Sequence, residues 1–211
     1  IRKLENVFGK WDSSGYVAAD YLPATYVPTV LTIDKDVEQI HMCFTFKAPK
    51  RDSKHRYSLA VLNTLFGGGM SSRLFQKIRE EEGLVYTIYS YTSAYSDTGI
   101  MTVYACSSPQ KAENVINSVF KEIKRLKTEK IEDKLIEVTK EQIISNYIIS
   151  SESTASRLSS NGGGMILSGK VLPMEEILEK MELVDYDAVK EAIDEIFIAD
   201  NLSFSAVGNI N

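Results

Sequence analysis

Between Val37 and Lys47 apolar and polar side chains alternate. Ile40, Met42, Phe44 and Phe46 fall on one face, and His41, Cys43, Thr45 and Lys47 on the other. That pattern fits a β-strand with one dry face and one wet face, and it fits neither a helix nor a strand buried on both sides. Such strands belong to antiparallel sheets covered on a single face. A Val- and Thr-rich stretch from Tyr26 to Ile33 precedes it as a further strand, with Asp34-Lys35-Asp36 as the turn. Tyr86 to Tyr95 and Gly99 to Cys106 read as a hairpin across Ser96-Asp97-Thr98, and Leu202, Phe204 and Ala206 alternate in a last strand.

The cover for that sheet is helical. Ser53 to Phe66 carries Tyr57, Ala60, Val61, Thr64 and Leu65 at helical spacing. A shorter helix follows the glycines, with Ser71 as N-cap, Leu74, Phe75 and Ile78 inward, and Gly83 at the position just past its end. Ser108-Pro109 opens the next helix, whose stripe runs Ala112, Val115, Ile116, Val119, Phe120, Ile123 and Leu126. A long helix is expected from Ile131 to Ser159, breaking near Ser150-Ser151 and interrupted by Asn161-Gly162-Gly163-Gly164. Met174 to Met181 forms a short helix, and Asp185 caps one that runs through Ile196. Strands and helices that segregate along the chain predict an α+β fold: a mainly antiparallel sheet of about five to six strands with helices packed on one face.

Residues 1–11 look like a helix end closed by Gly9, and 12–28 like a linker with Gly15, Pro23 and Pro28. The expected division is therefore 1–32 as the end of a preceding domain plus linker, and 33–211 as the domain proper. Composition is that of an ordinary globular chain, 44% hydrophobic and 25% charged. A net charge of -5 argues against nucleic acid and anionic membrane as partners, and no apolar run has the length of a membrane span. With no signal peptide in view, a cytoplasmic location is expected. Cys43 and Cys106 read as strand thiols in a reducing compartment. His41 and His55 are not spaced as a metal pair, and no metal site is expected in this chain.

The segment from Gly67 to Tyr86 carries the chemistry. Gly67-Gly68-Gly69 is either a mobile binding loop or an extended helix end, and no Gly-Lys-Ser/Thr follows to make it a phosphate loop. Taken alone, Arg79 is a cation at a helix C-terminus, where exposed carbonyls favour it, and Tyr86 is a strand tyrosine with a wet hydroxyl. Seven residues apart across the Gly83 reversal, the two can converge. A guanidinium and a phenol are both donors, and two donors on one oxygen stabilise the oxyanion of peptide hydrolysis by about 3–4 kcal/mol each.

The run from Leu62-Asn63-Thr64-Leu65-Phe66 through Gly67-Gly68-Gly69-Met70-Ser71-Ser72-Arg73-Leu74-Phe75-Gln76-Lys77-Ile78-Arg79, and then Gly83-Leu84-Val85-Tyr86, resembles the insulinase and pitrilysin family of zinc peptidases, and within it the mitochondrial processing peptidase group and its bacterial relatives. Tyr95-Ser96-Asp97-Thr98-Gly99 and Ser151-Glu152-Ser153-Thr154-Ala155-Ser156-Arg157 resemble it too. The resemblance implies an α+β domain used repeatedly. One copy holds zinc through His-x-x-Glu-His, and a later copy supplies an Arg and a Tyr, matched here by Arg79 and Tyr86, to the substrate and its carbonyl. This chain contains no His-x-x-Glu-His. The resemblance therefore makes it the C-terminal half of a zinc endopeptidase acting on peptides or unfolded polypeptides, inactive alone. Zinc is expected in an N-terminal half or in a separate zinc-bearing subunit, and a homodimer is compatible with the family. The alternative is a non-catalytic core or assembly subunit related to the processing peptidases.

Overall fold

A computed structural model describes residues 1–12, 14, 15, 17 and 22–210. Its centre is a five-stranded sheet of β1 (Val30–Asp34), β2 (Ile40–Ala48), β3 (Thr87–Ala94), β4 (Gly99–Ser107) and β5 (Leu202–Gly208), in the order β1-β5-β2-β4-β3. All neighbours are antiparallel except β1 and β5, which run parallel. The Asp34-Lys35-Asp36 connection therefore does not close a hairpin: β5 is inserted between the strands it joins. β1 starts at Val30, later than the expected Tyr26, and spans the expected boundary at 32/33.

The alternation in β2 has the expected outcome. Ile40, Met42, Phe44, Phe46 and Ala48 are buried, while His41 and Lys47 are exposed. β4 adds Met101, Val103 and Ala105 to the dry face and β3 adds Ile88. Helices α2 (Arg56–Gly67), α3 (Ala112–Thr128) and α7 (Tyr186–Ile196) cover that face. Phe46 and Phe66 both meet Phe197, with ring centroids 5.1 and 5.3 Å apart, and Phe44 meets Phe204 at 5.1 Å. Phe44, Phe46, Phe66 and Phe197 are buried, each contributing about 1.5–3 kcal/mol, and Phe204 is half-buried. The other face of the sheet carries His41, Tyr89, Tyr91 and Tyr104, and among the described residues no helix covers it.

Several expectations shift in detail. The buried stripe of α2 is Leu59, Leu62, Leu65 and Phe66 with Ser58 and Val61, so Tyr57, Ala60 and Thr64 lie at its margin. The helix is wedged between the sheet and α4 (Asp133–Ser151) as well as α7, so apolar residues spread around it and blur the phase. The long helix does break near Ser151: α4 ends there and α5 (Thr154–Ser168) begins after Ser153, whose hydroxyl accepts from Ser156 N–H. Gly162-Gly163-Gly164 does not interrupt α5, which continues to Gly169, a residue with φ of 70°. α6 (Met174–Glu182) and the Asp185 cap on α7, accepting from Ala188 N–H at 2.9 Å, stand as expected. At the N-terminus α1 (Arg2–Phe8) buries nothing. Of the expected linker, residues 13, 16 and 18–21 lie outside the described residues. Farther on, Tyr26 reaches the open face, its hydroxyl 2.9 Å from both the Thr45 carbonyl and Ser203 Oγ.

Candidate functional site

The C-terminal end of α2 sits against β3. A Cβ added at Gly67 would lie 2.6 Å from the Ser90 backbone nitrogen and 2.5 Å from its hydroxyl, so only glycine permits this approach. A Cβ at Gly69 would meet nothing within 4 Å. None of the three glycines has a positive φ. The run is thus a close packing contact at one end and unconstrained chain at the other. Ser72, not Ser71, closes the turn that follows, its hydroxyl donating to the Gly69 carbonyl.

The next helical segment is widened. Phe75–Glu81 is π-helical, with Glu82 N–H donating to the Lys77 carbonyl at 3.0 Å. Gly83 then adopts φ of 59°, and Leu84 N–H returns to the Ile78 carbonyl at 3.0 Å. That left-handed residue reverses the chain, as the sequence led one to expect of Gly83. Val85 is buried, and Tyr86 N–H joins the sheet through the Cys106 carbonyl at 3.0 Å.

Arg79 and Tyr86 come together at this reversal. The Arg79 guanidinium carbon lies 5.9 Å from the Tyr86 ring centroid and 4.7 Å from that of Phe75. The wide π-turn aligns Phe75 with Arg79 and lets the ring carry the cation, an attraction of about 0.5–1 kcal/mol at an exposed site. Tyr86 is 72% exposed. Among the described residues neither the guanidinium nor the phenol makes a hydrogen bond. Among the described residues the one charged neighbour of Arg79 within ion-pair range is Glu80 at 3.9 Å, with the two side chains 39% and 54% exposed, so the pair is weak. Two donor groups are therefore unspent on the same side of the reversal.

Gly67, Gly68, Gly69, Met70, Phe75 and Tyr89 face a neighbouring groove of about 310 Å³. Neither Arg79 nor Tyr86 lines it; Phe75 is the side chain common to groove and pair. β3, the strand beside both, is the outer strand of the sheet.

The chain just past the π-helix is held by α3 and by the turn that precedes it. Ser118 donates to Glu82 at 2.6 Å, and Lys111 Nζ donates to the Gly83 carbonyl at 2.8 Å. Glu122 is buried and receives Arg125 Nη1 at 3.0 Å, while Arg125 Nε holds Glu129 at 2.9 Å. Its hydrogen bonds to the Glu129 and Glu122 carboxylates push the Arg125 pKa up. Phe75, Lys111 and Ser118 were not picked out as site residues from the sequence. Their partners lie across element boundaries, and no local pattern announces them. Among the described residues no group of three or more His, Cys, Asp or Glu side chains could hold a metal ion. Nor is any described helix long and apolar enough to cross a membrane.

Residues 1–143 match the family described as Peptidase M16 inactive domain. The chain belongs to that family. This M16 domain is 34% identical over 200 residues to the Bacillus subtilis (strain 168) protein named uncharacterized zinc protease YmxG, covering 95% of this chain and 49% of the relative. An uncharacterized zinc protease of Rickettsia felis is 36% identical over 180 residues, covering 85% of this chain and 43% of the relative. The chain thus spans about half the length of these relatives. In fold it is similar to a protease from Helicobacter pylori, with a TM-score of 0.87 at 16% identity, covering 97% of this chain and 50% of that one. It is also similar to a peptidase M16 inactive domain from Pseudomonas fluorescens, with a TM-score of 0.76 at 21% identity, covering 91% and 46%.

Proposed function

We propose that this M16 domain is the half of a zinc endopeptidase that binds an extended peptide and stabilises the reacting carbonyl, and that it is inactive alone. The expected division into 1–32, the tail of the preceding domain and the connection from it, and 33–211, the binding domain, would then hold with its boundary moved ahead of β1, which starts at Val30. The observation that carries the reading is the pairing of two unspent donors, Arg79 and Tyr86, on one side of the Gly83 reversal, with a groove floored by Gly67, Gly68 and Gly69 next to them. The exposed edge of β3 offers backbone groups to an extended chain. Arg79 and Tyr86 would donate to the oxygen on which charge develops, and Phe75 would hold the guanidinium in place. The metal would come from the N-terminal half or from a zinc-bearing subunit, since the sequence lacks His-x-x-Glu-His.

The test is kinetic. In the protein that joins this chain to its zinc-bearing half, Tyr86→Phe is expected to lower kcat by about 10-fold or more with KM little changed, as the loss of a transition-state donor does. Wild-type turnover by that variant would remove Tyr86 from the mechanism. Peptide cleavage by the 211-residue chain alone, supplied with zinc, would overturn the division of labour. A full-length protein that binds no zinc and cleaves nothing would instead point to a core or assembly subunit.

A further inference from the structure

A second cavity lies at the far end of α2, about 16 Å from Gly67 by the rise of that helix. It has a volume of about 410 Å³, within the range of small-molecule sites, and is enclosed by the start of α2, by α5, by the 170–172 loop and by α6. Four cations line it: Arg51, Arg56, Lys170 and Lys180. Of the carboxylates, Asp52 lines it as well, and Glu176 pairs with Lys180 and also feels Lys170 through space. Four cations against two carboxylates leave a local surplus of positive charge on a chain whose net charge is -5.

The guanidinium groups are held in place but not neutralised. Arg51 Nη2 donates to the Ala94 carbonyl at 2.9 Å, and Arg56 lies over the Tyr57 ring, 5.7 Å from its centroid. Neither arginine, nor Lys170, has an acidic group within ion-pair distance among the described residues. Arg56 also sits near enough to Lys180 to oppose its charge. The Asn161 amide and the hydroxyls of Ser160 and Ser168 also line the cavity, make no hydrogen bond among the described residues, and are free to donate. Gly164 gives the wall its shape: a Cβ there would come within 2.8 Å of the Lys170 carbonyl, so glycine lets the loop bearing Lys170 close onto α5.

We infer that this cavity binds a multivalent oxyanion, a small molecule carrying phosphate or several carboxylates. Planar guanidinium groups match such oxygens two at a time, and unpaired like charges packed around one space are relieved when an anion enters it. The inference stands apart from the peptidase reading and uses none of its residues.

The test uses the 211-residue chain, with pyrophosphate and citrate as probes of the two sources, followed by amide NMR shifts and titration calorimetry. Binding is expected to move the amides of Ser53, Asn161, Gly164 and Lys170, and to weaken as salt is raised from about 20 to about 200 mM, because screening shortens the reach of these charges. Preference for pyrophosphate assigns a phosphate ligand, and preference for citrate a polycarboxylate. The double substitution Arg56→Gln/Lys170→Gln is expected to lose at least ~10-fold in affinity, and Lys170→Gln alone a smaller part, with the rest of the amide spectrum unchanged. Shifts confined to other regions, equal binding by the variants, or no response to either probe at about 10 mM would each overturn the proposal, since that concentration already exceeds weak millimolar affinity.

Discussion

Replacing Gly67 by alanine should destabilise the domain, although alanine is the better helix former. The new methyl carbon would lie 2.6 Å from the Ser90 nitrogen and 2.8 Å from its Cβ. The hydroxyl could rotate away, but the nitrogen belongs to the backbone of β3, which is fixed to β4 where Ser90 pairs with Val103. Ser90 also donates to Asn63 Oδ1 at 2.9 Å, tying α2 to the strand. To accept the methyl, the end of α2 must lift off β3, weakening that bond and loosening the contacts of buried Phe66. Overpacking of this kind costs about 1–3 kcal/mol, against which the gain in helix propensity, at most about 1 kcal/mol, is the only offset. The upper half of that cost, less the full offset, leaves about 1–2 kcal/mol; for a domain of this size each kcal/mol moves Tm by about 2–4 °C, so a fall of roughly 2–8 °C is expected. Gly69→Ala is the control: with nothing near its Cβ and no positive φ, it should leave Tm unchanged or slightly raised. Paired thermal or urea unfolding of the two variants decides the matter. If Gly67→Ala melts no lower than Gly69→Ala, the packing argument for the glycine run is wrong.

Other outcomes follow from the same structure. Arg125→Met should cost about 1–3 kcal/mol in urea unfolding, because it strips the hydrogen-bond partner from the carboxylate of buried Glu122; the double change with Glu122→Gln should recover part of that loss. Asp185→Ala should cost about 1 kcal/mol through the lost cap on Ala188 N–H. The Tyr104 hydroxyl is pushed up to about 12 from 10.0, chiefly by burial and then by neighbouring Cys106. The folded state therefore holds this proton more tightly than the unfolded one. Its contribution is full below pH 10.0 and is lost as pH rises through about 12. Absorbance titration should find one tyrosine ionising late, and Tyr104→Phe should remove it and flatten stability over that window.

β2 was readable residue by residue because its two faces differ: one is sealed by helices, and the other is polar, with His41 and Lys47 exposed. α2 was readable as a helix but not in phase, since Leu59 and Leu62 turn to the core while Tyr57 and Ala60 are half-covered on its flanks. Gly162-Gly163-Gly164 misled for a thermodynamic reason. Three glycines cost a helix about 1 kcal/mol each, yet the Ser153 cap and the left-handed Gly169 define ends beyond them. At the candidate site, the approach of Arg79 to Tyr86 followed from the spacing and from Gly83. The π-helical turn and the Phe75 stack did not, because widening depends on what packs behind. Lys111 and Ser118 lie 28 and 36 residues from the partners they hold, and no local reading reaches that far.

The parallel pairing of β1 with β5 governs how this domain can be joined to others. Val30 lies beside Phe204 and Asp34 beside Gly208. The chain therefore enters the sheet at one rim and leaves it at the opposite rim, about 13 Å farther along at ~3.3 Å per residue. Segments fused directly at Val30 and at Gly208 would leave from opposite ends of this strand pair, and a bridge between those two points would have to run its length.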